Sequence, residues 1–223
     1  TETCATVSFD HPDKPVSLGS IGRPLPGVEV KIEGEDNEIL VRGATVTPGY
    51  YKKEEDTRKA FTEDGWFRTG DAGYIKDGEL YITERIKDLF KTSNGKYVAP
   101  QAIEGKLTID RYFEQVVVVA DQRKFVSALI VPNYKAIEDW AAAQNLSFKS
   151  REELCNDAQV KKFLAQHIDT LQQDLAAYEK IKRFVLLPEA LSMEKGEITN
   201  TLKIKRRVVY ERYAQEIESM YAE

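Results

Sequence analysis

The glycines and prolines of this chain are unevenly spread, and that unevenness limits its fold more than any other feature. Of the 13 glycines, Gly19, Gly22, Gly27, Gly34, Gly43, Gly49, Gly65, Gly70, Gly73 and Gly78 all precede Glu84, together with Pro24, Pro26 and Pro48. Segments between such breakers suit short strands joined by turns. Residues 28–32 alternate apolar and polar as a half-buried strand does, residues 39–41 form a second strand, and residues 78–82 follow a turn at 76–78. The charged stretch between Tyr51 and Phe61 reads as a short exposed helix with no function attached.

After Glu84 helices and strands alternate. Pro100 can occupy the first turn of a helix with Ile103 and Leu107 on one face, and residues 116–119 and 127–131 read as buried strands. Between 151 and 176, Val160, Phe163, Leu164, Ile168, Leu171 and Leu175 recur at three- and four-residue steps, predicting one long amphipathic helix. Residues 182–187 predict a strand stopped by Pro188. Val209, Tyr213, Ile217 and Met220 predict a last helix over 204–221. The change of texture places a domain boundary, and a hinge, at 84–88.

Composition removes whole classes of function. A chain of 223 residues with 42% hydrophobic side chains buries a real core, and a net charge of −5 provides no field for nucleic acid. Cys4 and Cys155, with His11 and His167, have neither zinc-site nor disulfide-framework spacing, which fits a reducing, cytoplasmic compartment. The apolar runs 116–120 and 125–131 are far short of the ~20 residues of a membrane span. The opening Thr1-Glu2-Thr3-Cys4 carries neither an initiator Met nor a signal pattern, so it reads as a cut through a longer protein.

Four clusters can carry chemistry, and each has a plain structural reading beside it. In Trp66-Phe67-Arg68-Thr69-Gly70-Asp71 two aromatics lead into a Gly turn presenting a carboxylate, suited to a vicinal diol or simply closing the turn. In residues 84–88 Arg85 can grip a phosphate or ribose, or the segment is a solvated linker. Residues 91–96 place Gly95 where a ligand can lie against backbone, or form an ordinary turn. In residues 195–207 a loop running into a basic helix start can swing a lysine against an anion, or the run is a nucleic-acid or targeting patch, or a plain basic face whose location at a helix start asks for an anionic partner.

Taken in order, these clusters resemble the block series of the adenylate-forming superfamily of acyl-CoA synthetases, peptide-synthetase adenylation domains and firefly luciferase. Thr1-Glu2 resembles the end of a Tyr-Gly-x-Thr-Glu motif, and Glu38-Ile39-Leu40-Val41-Arg42-Gly43 through Gly49-Tyr50 resembles Gly-Glu-Leu-x-Val-Arg-Gly … Gly-Tyr. Residues 66–71 resemble aromatic-(Arg/His)-Thr-Gly-Asp, residues 85–88 Arg-x-Lys-Asp, and residues 97–104 the Val-x-Pro-x-x-Ile-Glu block. The helical insertion from about Asn145 to Tyr178 and the ending through Gly196-Glu197-Ile198-Thr199 and Thr201-Leu202-Lys203-Ile204-Lys205-Arg206 are similar to long-chain fatty-acid CoA ligases. Departures are Leu202 in place of the usual Gly, Ala44 in place of Pro, Glu84 in place of Gly or Asp, and Asn94 as a one-residue extension.

The resemblance implies an α+β protein: the mainly β end of a large ATP-binding domain over 1–84, then a mobile α/β domain over 85–223. It also implies an ATP-dependent ligase that activates a long-chain fatty acid as acyl-adenylate and passes it to coenzyme A. Asp71 would hold the ribose hydroxyls, Arg85 the ribose or a phosphate, Thr1 a phosphate oxygen and Glu2 the Mg²⁺. Lys203 would be the catalytic lysine, Lys87 the hinge and Gly95 a coenzyme A contact. The partners implied are fatty acid, ATP, coenzyme A and the rest of the same chain, with no nucleic acid and with peripheral membrane contact left open. Without that rest the segment would be inert. The alternatives are acyl delivery to a carrier protein, and a docking module without chemistry.

Overall fold

The breaker-rich first stretch folds as an antiparallel meander. In the computed structural model, which describes residues 1–4, 6–15 and 17–222, a short ladder of β1 (Ser8–Phe9) with β2 (Arg23–Pro24) precedes β3 (Val28–Glu33), β4 (Glu38–Gly43), β5 (Phe67–Lys76) and β6 (Glu79–Arg85). The last four form one sheet in the order β3-β4-β5-β6, with α1 (Glu54–Ala60) between β4 and β5. Asp77 and Gly78 join β5 to β6 with both residues at positive φ, the two-residue turn whose twist matches its strands. Val28, Ile39, Val41 and Leu80 make the small core of this sheet. Trp66 is buried with Lys31 and Arg42 over its ring, at 4.8 and 4.4 Å. The α1 helix buries nothing, as its charge pattern requires.

The expected turn at Thr69–Asp71 is instead part of the ten-residue strand β5, whose register slips between Ala72 and Gly73. Gly73 permits this: a Cβ there would lie 2.1 Å from the Tyr81 carbonyl oxygen. Residues 84–88 are ordered and partly solvated, with Arg85, Lys87 and Asp88 exposed. Glu84 is buried at the end of β6, and residues Ile86–Asp88 form a single 3-10 turn. The chain separates into compact units at Leu89/Phe90, just beyond that turn.

The second unit holds β7 (Phe90–Lys91), β8 (Tyr97–Val98), α2 (Pro100–Leu107), β9 (Phe113–Val119), β10 (Val126–Pro132), α3 (Tyr134–Ala143), α4 (Arg151–Asn156), α5 (Ala158–Leu171), β11 (Ile181–Leu186), α6 (Arg206–Arg212) and α7 (Ala214–Tyr221). Its sheet runs β11-β10-β9, with β10 antiparallel to β9 and parallel to β11. Every residue of β10 is buried, so both faces of the central strand are covered. The α+β class implied by the sequence is the class observed. Among the described residues no helix is long and apolar enough to cross a membrane.

Two predicted helices are broken. Asp157 is the C-cap of α4 and the N-cap of α5, its Oδ1 accepting the Gln159 and Val160 amides at 2.8 and 3.0 Å. Tyr213, at φ −103° and ψ 30°, separates α6 from α7. Of the expected stripe, Val160, Leu164 and Ile168 are buried in α5, Phe163 and Leu171 are half-buried, and Leu175 lies beyond the helix. Helix α3, which no sequence pattern above suggested, starts at Asn133, whose side chain accepts the Ala136 amide. Because Asp157 satisfies two otherwise orphaned amides, Asp157→Ala is expected to lower stability by ~1 kcal/mol in chemical denaturation, and Asp157→Asn by less.

Candidate active site

The first unit opens a cleft of about 210 Å³ whose wall includes Thr1, Glu2, Thr69, Asp71 and Arg85. Asp71 and Arg85 face each other across β5 and β6, and Arg85 Nε donates to Asp71 Oδ1 at 2.9 Å. That leaves carboxylate oxygen and guanidinium N–H side by side, an acceptor and a donor for adjacent hydroxyls. The backbone beneath is set by two groups. The Thr69 hydroxyl donates to the Ile39 carbonyl at 2.7 Å and accepts the Asp71 amide at 3.1 Å. The buried Glu38 carboxylate accepts the Gly70 amide at 3.2 Å and Arg68 Nη1 at 2.8 Å. Glu38 therefore shapes the strand presenting Asp71, a role no local pattern signals, because its partners lie about 30 residues away.

Glu2 contributes a second carboxylate to the cleft. Its backbone carbonyl accepts the Thr47 amide at 2.7 Å, and its side chain accepts the Tyr50 hydroxyl at 3.4 Å. Burial, and next the Glu2 charge, raise the Tyr50 phenol above its ordinary value. Among the described residues no three His, Cys, Asp or Glu side chains converge as a closed metal cage. One carboxylate in an open cleft is nevertheless the donor set Mg²⁺ takes when phosphates and water fill its other positions. Lys87 is exposed on the 3-10 turn that follows β6.

In the second unit Gly95 lies in the β7–β8 turn. Its amide donates to the Thr92 carbonyl at 2.9 Å, Thr92 N donates to the Lys96 carbonyl at 2.9 Å, and φ is +77°. This is the three-residue hairpin that needs a left-handed residue at its third place, so Asn94 is part of the turn. A Cβ on Gly95 would meet nothing within 4 Å, which leaves that face of the backbone open.

Lys203 stands on a finger of paired backbone. Ile198 and Ile204 form an antiparallel bridge, the Thr199 amide donates to the Lys203 carbonyl at 2.8 Å, and the Leu202 amide donates to the Thr199 carbonyl at 2.9 Å. Ile198 is buried and Ile204 packs on the core. Strand alternation therefore turns Lys203 outward, where it is exposed and makes no ion pair among the described residues. The basic helix start beyond it has its anion within the chain. Arg206 Nη1 and Nη2 donate to Glu104 Oε1 and Oε2 at 2.6 and 2.8 Å, and Glu104 also accepts the Val118 amide at 2.7 Å. Leu202, where the related motif carries Gly, sits at φ 60° with 71% of its surface exposed. A left-handed Leu without burial is strained, so Leu202→Gly is expected to raise stability by about 1 kcal/mol in denaturant melts.

Residues 87–223 match the model of the AMP-binding enzyme C-terminal domain. The chain belongs to that family. It is 39% identical over 211 residues to a long-chain-fatty-acid–CoA ligase of Mycobacterium tuberculosis, covering 92% of this chain and 34% of that protein. Its identity to the peroxisomal long chain acyl-CoA synthetase 7 of Arabidopsis thaliana is 35%, covering 100% of this chain and 34% of that protein. The chain thus spans about a third of the length of the curated relatives it matches. Among solved structures, the adenylation domain of a carboxylate reductase from Mycobacterium chelonae superposes with TM-score 0.61 at 25% identity, over 92% of this chain and 32% of that one. The O-succinylbenzoate coenzyme A synthetase of Bacillus subtilis, solved with AMP, gives 0.56 at 26%, over 93% and 38%.

Proposed function

We propose that this chain supplies the nucleotide-ribose contacts and the catalytic lysine of an ATP-dependent long-chain fatty-acid–CoA ligase. The observation that carries the reading is the Asp71–Arg85 pair in the cleft, in a chain that matches long-chain acyl-CoA ligases from end to end.

In this reading the fatty carboxylate attacks the α-phosphorus of ATP. A new C–O–P bond forms, the bond to the bridging oxygen breaks, and pyrophosphate leaves. Coenzyme A thiolate then attacks the acyl carbon, forming the C–S bond and releasing AMP. Asp71 and Arg85 hold the ribose hydroxyls and Thr1 a phosphate oxygen. Glu2 holds Mg²⁺, which when bound shields the phosphate charge. Two anions must approach in the first step, and Lys203 offsets their repulsion; opposite unit charges at 4 Å are worth about 4 kcal/mol at an effective dielectric near 20. The second step needs that charge withdrawn, which we assign to movement about Lys87, between a domain ending near residue 84 and one beginning at 85. The open face of Gly95 takes the pantetheine arm. A carrier-protein thiol as acceptor is the second reading within this chemistry. The two free thiols fit a cytoplasmic, reducing compartment, and an amphiphilic substrate suits peripheral contact with a membrane.

In the full-length polypeptide, Lys203→Ala is expected to lower ATP–pyrophosphate exchange by on the order of 100-fold or more and to spare thioester formation from supplied acyl-adenylate. Equal loss in both half-reactions would contradict the role of Lys203. Gly95→Leu is expected to slow the coenzyme A step by about tenfold while leaving exchange within about twofold, with Gly95→Ala controlling for strain in the turn. A matching fall in exchange would remove Gly95 from the thiol path.

A further inference from the structure

The finger that carries Lys203 stands on a carboxylate that water does not reach. Glu197 is 0% exposed, although Lys195, Lys203 and Lys205 around it are all exposed. Both its oxygens are occupied. Oε2 accepts the Ser192 amide at 2.9 Å, and Oε1 accepts Arg212 Nη1 at 2.9 Å and the Tyr213 hydroxyl at 3.2 Å. Its backbone is held as firmly, the amide donating to the Ser192 carbonyl at 3.0 Å and the carbonyl accepting the Lys205 amide at 2.7 Å. Burial acts to raise the Glu197 carboxyl, but the Ser192 amide, Arg212 and Tyr213 outweigh it and leave the group below the usual carboxylate range. Burial, and next the Glu197 charge, push the Tyr213 phenol up to about 12. The group is an ionised hub.

These bonds fix the base of the finger from three directions. Ser192 lies upstream, Arg212 and Tyr213 form the α6–α7 junction downstream, and Lys205 belongs to the finger's own return strand. Lys203 is two residues from Lys205, and the Ile198–Ile204 bridge and the Thr199–Lys203 bond leave no slack between base and lysine. The carboxylate is buried but the Arg212 side chain is 44% exposed, and an ion pair with one partner in water adds little net stability, so stability alone does not account for a charge at this place. What it supplies is geometry, because a carboxylate with several donors has one favourable orientation.

We propose that Glu197 is a positioning residue for acyl-adenylate formation, acting through Lys203 by holding the base of the finger so that the ammonium is presented without reorganisation. The proposal rests on the reading of Lys203 given above, and its test separates the two. In the full-length polypeptide, Glu197→Ala is expected to lower single-turnover adenylate formation by on the order of 100-fold. Glu197→Gln, which keeps the size and the Ser192 and Tyr213 contacts, is expected to cost about tenfold. Thioester formation from supplied acyl-adenylate stays within about twofold in both. In a Lys203→Ala background, Glu197→Gln adds no further loss, because a residue that works through the lysine has nothing left to position. Should Glu197→Ala fail to fold, the Glu197→Gln cycle decides alone. Equal loss in both half-reactions, an undiminished loss without Lys203, or no loss in adenylate formation would each overturn the proposal. Equal loss of both half-reactions in Lys203→Ala itself would overturn the assignment of the lysine, and that comparison needs no Glu197 variant.

Discussion

A carboxylate out of water must find a full set of donors, and Glu38, Glu104 and Glu197 organise the chemistry-bearing parts of this molecule through that requirement. Leaving a buried acceptor unsatisfied costs about 1–3 kcal/mol, and more when it is charged, so the donors are obliged to come to the carboxylate. Glu38 gathers Gly70 and Arg68 and so presents Asp71. Glu104 gathers Val118 and Arg206 and so anchors the first residue of α6 to the sheet. Glu197 gathers Ser192, Arg212 and Tyr213 at the root of the finger. Behind the half-exposed Asp71 and the exposed Lys203 the rigid group is thus a buried carboxylate, Glu38 and Glu197 respectively.

This division suits the proposed role in adenylate chemistry, where charged groups must meet without reorganisation. Groups that meet nucleotide must stay accessible, while their orientation must already be set, since reorganising dipoles during the reaction would add to the barrier. Gly95 and Lys203 likewise sit on short hydrogen-bonded turns, with Gly95 and Leu202 both at positive φ.

Several elements were legible from apolar patterning, although α3, which buries Tyr134, Ile137 and Ala141 at helical spacing, was not among them. The alternation of 28–32, the run 116–119 and the Ile103–Leu107 face all lie in elements of the kind expected. The helix breaks were missed for different reasons: the stripe of 151–176 begins only at Val160, beyond Asp157, whereas Tyr213 breaks the last helix while itself belonging to its apolar stripe. The stretch 66–71 looked like a turn because Gly70 is usually a turn residue; the neighbour that makes it strand is β4, far away in the chain. Asp71, Arg85, Gly95 and Lys203 were suggested by their order along the chain, matched to a family pattern. Glu38, Glu104 and Glu197 lie in the same matched blocks, but their supporting roles were not legible, since their partners come together only by folding, up to 102 residues distant, and no periodicity encodes that.

The central claim is that the chemistry runs through an acyl-adenylate. It is tested most directly by product stoichiometry in the full-length polypeptide supplied with a long-chain fatty acid, ATP and coenzyme A. The expected result is AMP, pyrophosphate and acyl-CoA in equal amounts, with bound acyl-adenylate accumulating when coenzyme A is withheld. Formation of ADP and inorganic phosphate, or acyl-CoA without any adenylate on omission of coenzyme A and its later addition, would contradict it.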